Sequence, residues 1–355
     1  MLAHLHYPTP FMLRSRYHLL FASLTVALAA SYQVAAADTA PAQARVISRL
    51  ALGGPGHWDY LNFDAQRRHL FVSRGDRVMV IDVDQNKQIA TIPGTSGVHG
   101  IAIAQDLHRG FTSNGKSASV TVFDLDTLKT VATIQGTGNN PDAILYDSAS
   151  HHVLTFNGKS GNASVIDPIK GSVIGTIALP GKPEFSATDN AGHVYVNIED
   201  KSELAEIDSV SNKVTHVWPL APCESPSGLA IDAPHHRLFS VCDNNKMTVL
   251  DATNGHLVAT LPIGDGPDAV VFDAAAATAY SSNGESGTIT AVHEIDPDHF
   301  AISATITTQP SARTLALDPQ KHRLYLSAAQ LGKDKQPNGH PSIVPDSFTI
   351  LTVGQ

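Results

Sequence analysis

Seven polar residues recur at one position of a repeating pattern with a period of about 43 residues. They are Asp59, His99, Asp142, Glu184, Ser227, Asp268 and Arg313. Together they offer four carboxylates, one imidazole and one guanidinium. Carboxylate oxygens and a neutral imidazole nitrogen are donors that a divalent metal ion accepts. On that chemistry His99 or His57 supplies nitrogen, and Asp59, Asp142, Glu184 or Asp268 supplies oxygen. The expected metal set is His99 with Asp59, Asp142 and Asp268. The same ring suits an amine or other cationic ligand, with Arg313 orienting a carboxylate on it. The bland alternative is that these groups line water and bond one another. Asn114, Asn157 and Asn283, with Arg74 and Asp243, form a second series expected on the same side. The patterns HExxH, GxSxG and the P-loop are absent from the sequence, so no motif names a reaction.

Whether these residues meet depends on the elements that carry them. Each lies at the start of an apolar alternation closed by Asp: PDAILYD (141–147), PSGLAID (226–232), PDAVVFD (267–273) and ARTLALD (312–318). WDYLNFD (58–64), VHGIAIA (98–104) and PEFSATD (183–189) are divergent copies. A turn bearing His or Arg follows, and then a second strand. A third strand ends in Asp again: VMVID (78–82), VTVFD (120–124), ASVID (163–167), LAEID (204–208) and MTVLD (247–251). A fourth follows, as in QIATIPG or TVATIQG. Period-two alternation over five to seven residues marks strands rather than helices. Asp, Asn and Gly between them mark turns, so most of the terminal Asp residues read as turn formers.

Four strands in each unit of roughly 40–50 residues describe a β-propeller blade, and seven copies describe a seven-bladed, all-β ring. Blades are expected to start near 57, 98, 141, 183, 226, 267 and 311. The seventh copy ends in FTILTV (348–353) and lacks its last strand. The orphan strand RVISRLAL (45–52) is expected to supply it by pairing with residues 347–353, closing the ring and protecting both sheet edges. Composition agrees. Of 355 residues 42% are hydrophobic and 16% charged, so a large core is available; Gly numbers 26 and Pro 21, as a turn-rich chain needs. The formal net charge of −9 disfavours nucleic acid as a partner. In a propeller the first strand of each blade lines the central channel, which would gather the seven residues at one mouth, the default place for a ligand.

The second strands end in FVSR (71–74), FTSN (111–114), LTFN (154–157), YVNI (195–198), FSVC (239–242), YSSN (280–283) and YLSA (325–328). With the PDA-type turns, these tetrads resemble the YVTN-repeat, YncE-like propellers of exported bacterial proteins, over residues 45–355. The resemblance implies the fold and export. Its relatives range from lone propellers to propeller domains of redox enzymes, and no catalytic motif carries over. The haem motif CxxCH is absent.

Arg14 and Arg16 precede the apolar run 19–30 and the Ala35-x-Ala37 site, which reads as a secretory signal peptide over residues 1–37 with cleavage after Ala37. Met12 is an alternative start. Residues 38–355 are then a single propeller domain, periplasmic or secreted, without a stable membrane span and expected to be monomeric. Cys223 and Cys242 fall on one face of one blade, which points to a disulfide in an exported protein; free thiols or a thiolate metal site are the alternatives. The Pro- and Gly-rich segment 331–347 reads as a surface loop, with a lid carrying His340 as the sharper alternative. His69, His108, His151, His152, His235, His236 and His322 fall in turns on the face opposite the mouth and read as turn residues of the repeat.

Three functions remain open. The first is a binding or scaffold module whose acidic mouth takes a small ligand or partner protein. The second is a metal-dependent, lactonase-like hydrolase or lyase using the same mouth. The third is the propeller subunit of a periplasmic redox system. A divalent metal ion is the one cofactor the pattern allows.

Overall fold

The structure, a computed structural model, describes residues 44–335 and 341–355. The signal-peptide segment and His340 lie outside the described residues. Seven antiparallel four-stranded sheets follow one another along the chain. Blade I consists of Leu61–Asp64, His69–Arg74, Arg77–Asp82 and Lys87–Pro93; blade II of Val98–Ala104, Arg109–Asn114, Ser119–Asp124 and Thr130–Gln135. Blade III runs through Pro141–Asp147, His152–Asn157, Asn162–Asp167 and Ser172–Ala178; blade IV through Pro183–Thr188, His193–Ile198, Glu203–Asp208 and Lys213–Pro219. Blade V comprises Pro226–Asp232, Arg237–Cys242, Lys246–Asp251 and Leu257–Pro262; blade VI comprises Pro267–Asp273, Thr278–Asn283, Thr288–Asp296 and His299–Thr307. The first strands touch their neighbours in a closed cycle from blade I to blade VII and back to blade I. The fold is therefore a seven-bladed β-propeller. Among the described residues there are two short 3-10 turns and no α-helix.

Blade VII takes Leu315–Asp318, Arg323–Ala328 and Thr349–Gly354 from the end of the chain and Arg45–Ala51 from its beginning. Arg45 pairs with Gly354 and Leu50 with Ile350. The orphan strand thus closes the ring, one residue shorter than expected and paired with 349–354 rather than 347–353. First strands of blades I and VII begin only at Leu61 and Leu315, after extended entries that carry Asp59 and Arg313.

Burial follows position in the blade. Second and third strands are buried along nearly their whole length, because both faces of a blade pack on its neighbours. Fourth strands alternate exposed and half-buried residues, because they form the rim. One cluster shows the joint: Leu154, Phe156 and Val165 of blade III pack with Val194, Val196 and Ile198 of blade IV. The Asp residues ending third strands do cap turns. Asp167 accepts the backbone N–H groups of Ile169 and Lys170, and Asp208 those of Val210 and Ser211. That removes them from contention as catalysts.

Candidate functional site at the channel mouth

The second residue of an inner strand is where chemistry sits. In blades II to VI the pairing between first and second strands slips at this point, for example between Val98 and Ile101 and between Pro141 and Ile144. A bulge bends the strand and re-aims a side chain. His99, Asp142, Glu184, Ser227 and Asp268 all occupy this bulge. Second-strand side chains then pin the inner backbone of the next blade. Ser113 donates to the Asp142 carbonyl, Asn197 to the Ser227 carbonyl and Ser282 to the Arg313 carbonyl. These pinning residues escaped the sequence reading. The signal was present at the third tetrad position, which is Ser or Asn in five copies: Ser73, Ser113, Asn197, Ser282 and Ser327.

The ring forms as a connected network. His99 Nδ1 lies 2.7 Å from Asp59 Oδ2 and 3.7 Å from Asp142 Oδ1. Arg313 donates to Asp268 at 2.7 Å and lies 3.5 Å from the other oxygen of Asp59. Asp59 therefore bridges the imidazole and the guanidinium. Across the mouth, Lys182 contacts Glu184 at 2.7 Å and also Glu199. Neither Lys182 nor Glu199 was expected. Lys182 precedes the aligned strand, and Glu199 follows the second strand of blade IV. The Ser227 hydroxyl turns to the Pro267 carbonyl, 3.2 Å away.

Beneath the carboxylates, Tyr60 of blade I meets Phe185 of blade IV across the ring, with ring centroids 4.2 Å apart. Both residues also line a cavity of about 600 Å³ on the far side, walled by inner-strand residues such as Phe63, Ile103, Leu145 and Leu317. The pair thus lies between the mouth and a cavity of mixed lining, which Asn62, Gln105 and Ser186 also border.

Electrostatics follow from crowding like charges in a half-dry space. Burial pushes the Asp142 carboxyl up to about 6, against the pull of His99. Burial and Asp142 together push Glu184 up to about 8, although Lys182 opposes this. Burial raises Asp268 to about 6 despite Arg313. Burial and the same carboxylates hold the Tyr60 phenol well above its ordinary range. Burial works against a charge on His99, but the bond to Asp59 and the field of Asp142 raise it overall. Asp268 and Asp59 keep Arg313 firmly charged. Uncompensated negative charge is the net character of the site.

Several expected members do not join it. Asn114, Asn157 and Asn283 are fully buried. Their carboxamides are taken up inside their own blades: Asn114 bonds Ser119 and Thr121, Asn157 bonds Asn162 and Ser164, and Asn283 bonds Thr288 and Thr290. Strand ends alternate too, and this position faces the third strand. Arg74 is 1% exposed and donates to the carbonyls of Gly53, Gly54 and Gly56 while stacking on Phe348. It clamps the entry to blade I. His57 is exposed and lines, with Arg74 and Ser342–Phe348, a separate cavity of about 490 Å³. The described part of segment 331–347 forms a hairpin, Leu331–Lys335 with Pro341–Ile343, and its second arm borders that cavity rather than the ring. Of the expected metal set, Asp59, His99 and Asp142 bring one donor atom each within 4.8 Å of one another; Asp268 is held by Arg313 instead. Cys223 and Cys242 form a disulfide at the edge of blade V.

No family model matches the chain, and no curated protein does. Solved structures share its fold. A structure titled hydrazine synthase, from Kuenenia stuttgartiensis, aligns at TM-score 0.65 and 14% identity over 83% of this chain and 97% of that one. One titled U3-55K aligns at 0.72 and 10% over 87% and 98%, and the RRP9 WD40 repeats at 0.72 and 11% over 89% and 98%. At such identities the likeness speaks for architecture alone.

Proposed function

We propose that this chain is an exported binding propeller of the YncE-like kind, and that its mouth takes a cationic small ligand such as a polyamine or a divalent metal ion. The observation that carries this reading is the convergence of Asp59, Asp142, Glu184 and Asp268 above the Tyr60–Phe185 floor. Burial and mutual repulsion raise the pKa values of Asp142, Glu184 and Asp268, so ionising all three together in the empty site is unfavourable. A cation relieves that repulsion, and an aromatic floor adds attraction to an ammonium group. Export is supported by the leader pattern at residues 1–37 and fits the disulfide; kinship with YncE-like propellers is supported by the tetrads and PDA-type turns. The test is calorimetric titration with a panel of di- and polyamines and divalent cations. One saturable site is expected, weakened tenfold or more by Asp142→Asn and by added salt. Absence of binding across the panel, or binding indifferent to Asp142→Asn, overturns the proposal.

A second reading is a metal-dependent hydrolase or lyase. It is favoured by the Asp59–His99–Asp142 donor set lying beside Glu184, a carboxyl that keeps its proton at neutral pH and so fits a general acid. Metal-dependent turnover of a lactone or ester substrate that disappears with Glu184→Gln, while cation binding persists, would select it over simple binding.

A further inference from the structure

The turn after the inner strand has a shared design in blades I, III, VI and VII, and blade V, whose inner strand also ends in Asp, departs from it. In those four blades the buried Asp that ends the strand is satisfied by turn amides. Asp64 accepts the N–H groups of Gln66 and Arg67; Asp147 accepts that of Ser150; Asp273 accepts that of Ala276; Asp318 accepts those of Gln320 and Lys321. In blade V the residue two positions beyond Asp232 is Pro234, which has no N–H to give. No turn amide bonds Asp232. Its hydrogen-bond partner is His235 Nδ1, at 2.7 Å.

A second carboxylate comes from the neighbouring blade. Glu294 lies in the third strand of blade VI, which is the longest third strand of the seven. Glu294 is 4% exposed. Its Oε1 lies 2.8 Å from His235 Nδ1, the same atom that contacts Asp232, so two carboxylates share one ring nitrogen, and its Oε2 has no hydrogen-bond partner. A buried carboxylate pair served by one donor is costly unless something more electropositive meets it. The nearby guanidinium of Arg237 does not fill that role, being held by the Pro297 and His235 carbonyls and by Asp298. Donor atoms of Asp232, His235 and Glu294 all lie within 4.8 Å of one another. The imidazole is half exposed and leaves a path from solvent.

We propose that Asp232, His235 and Glu294 form a divalent-metal site that staples blade V to blade VI on the face opposite the mouth. Two carboxylate oxygens and one imidazole nitrogen, with water in the open position, are a donor set that Zn²⁺ accepts. On binding, the ring proton moves from Nδ1 to the solvent-facing Nε2, so the imidazole stays neutral, and the metal takes the proton's place between the two carboxylates. The site is independent of the mouth, and its failure would not bear on ligand binding there.

The test uses the exported chain without an affinity tag, carrying His99→Ala and Asp142→Asn to silence the mouth, with Zn²⁺ alone as probe. Equilibrium dialysis is expected to find one Zn²⁺ per chain. Glu294→Gln, which keeps side-chain size, and His235→Ala, at a half-exposed position, are each expected to weaken it tenfold or more. Zn²⁺ should raise the melting temperature of the parent, and of neither variant, because a ligand held only by the folded state stabilises it. Zinc binding unchanged in both variants, or none at millimolar Zn²⁺, overturns the proposal.

Discussion

Glu184 shows how a single side chain sets the pH response of the mouth. Its folded-state pKa is raised to about 8 by burial and by Asp142, whereas an unfolded glutamate titrates near 4.3. An acid whose pKa rises on folding holds its proton more tightly in the native state. Ionising it therefore works against folding, and stability declines as pH rises from the ordinary glutamate range through about 8. Glu184→Gln is expected to flatten that decline, making the variant relatively more stable at pH 9 than at pH 5 by roughly 1–3 kcal/mol. Urea unfolding at the two pH values measures it, and an identical pH slope in both proteins would refute the assignment. Much of the mouth was legible at this scale. Asp59, His99, Asp142, Glu184, Asp268 and Arg313 share one repeat position, and the ring brings them together. Lys182, Glu199 and Tyr60 were not legible, because each reaches the mouth from outside that position. The asparagines misled because the sequence marks which residue ends a strand but not which neighbour its carboxamide meets.

Among the elements, Arg45–Ala51 is the most consequential. It is the outer strand of a blade whose other three strands come from the far end of the chain. Without it Thr349–Gly354 would present an unpaired edge, which invites association with other chains. A chain starting at residue 53 is expected to melt at least 5 °C lower and to aggregate, and a synthetic peptide of residues 44–52 should partly restore it. Light scattering and thermal melts check this; an unchanged melting temperature would mean that closure is dispensable. The need for this strand was readable from arithmetic alone, since seven blades of four strands left one unpaired stretch at each end. The bulges at His99 and Asp142 were not readable, because three successive residues beyond each, Gly100 to Ala102 and Ala143 to Leu145, are all buried, so no strict alternation was present to mark the slip.

For the whole molecule, the closed cycle of inner strands couples every blade to two neighbours. Loss of one blade removes packing from both sides, so the ring is expected to unfold in one cooperative step. The two tryptophans of the chain, Trp58 in the entry to blade I and Trp218 in blade IV, are natural reporters on different blades. Trp58→Phe and Trp218→Phe variants each leave one reporter, and the two fluorescence transitions should share a midpoint within error. Separate midpoints would show that blades melt independently. The contact of Tyr60 with Phe185 gives the ring a further property. It joins opposite sides of the axis, with the acidic mouth above it and the cavity of about 600 Å³ below. The two spaces share these rings as a common boundary, so a rotation of either side chain reshapes both at once.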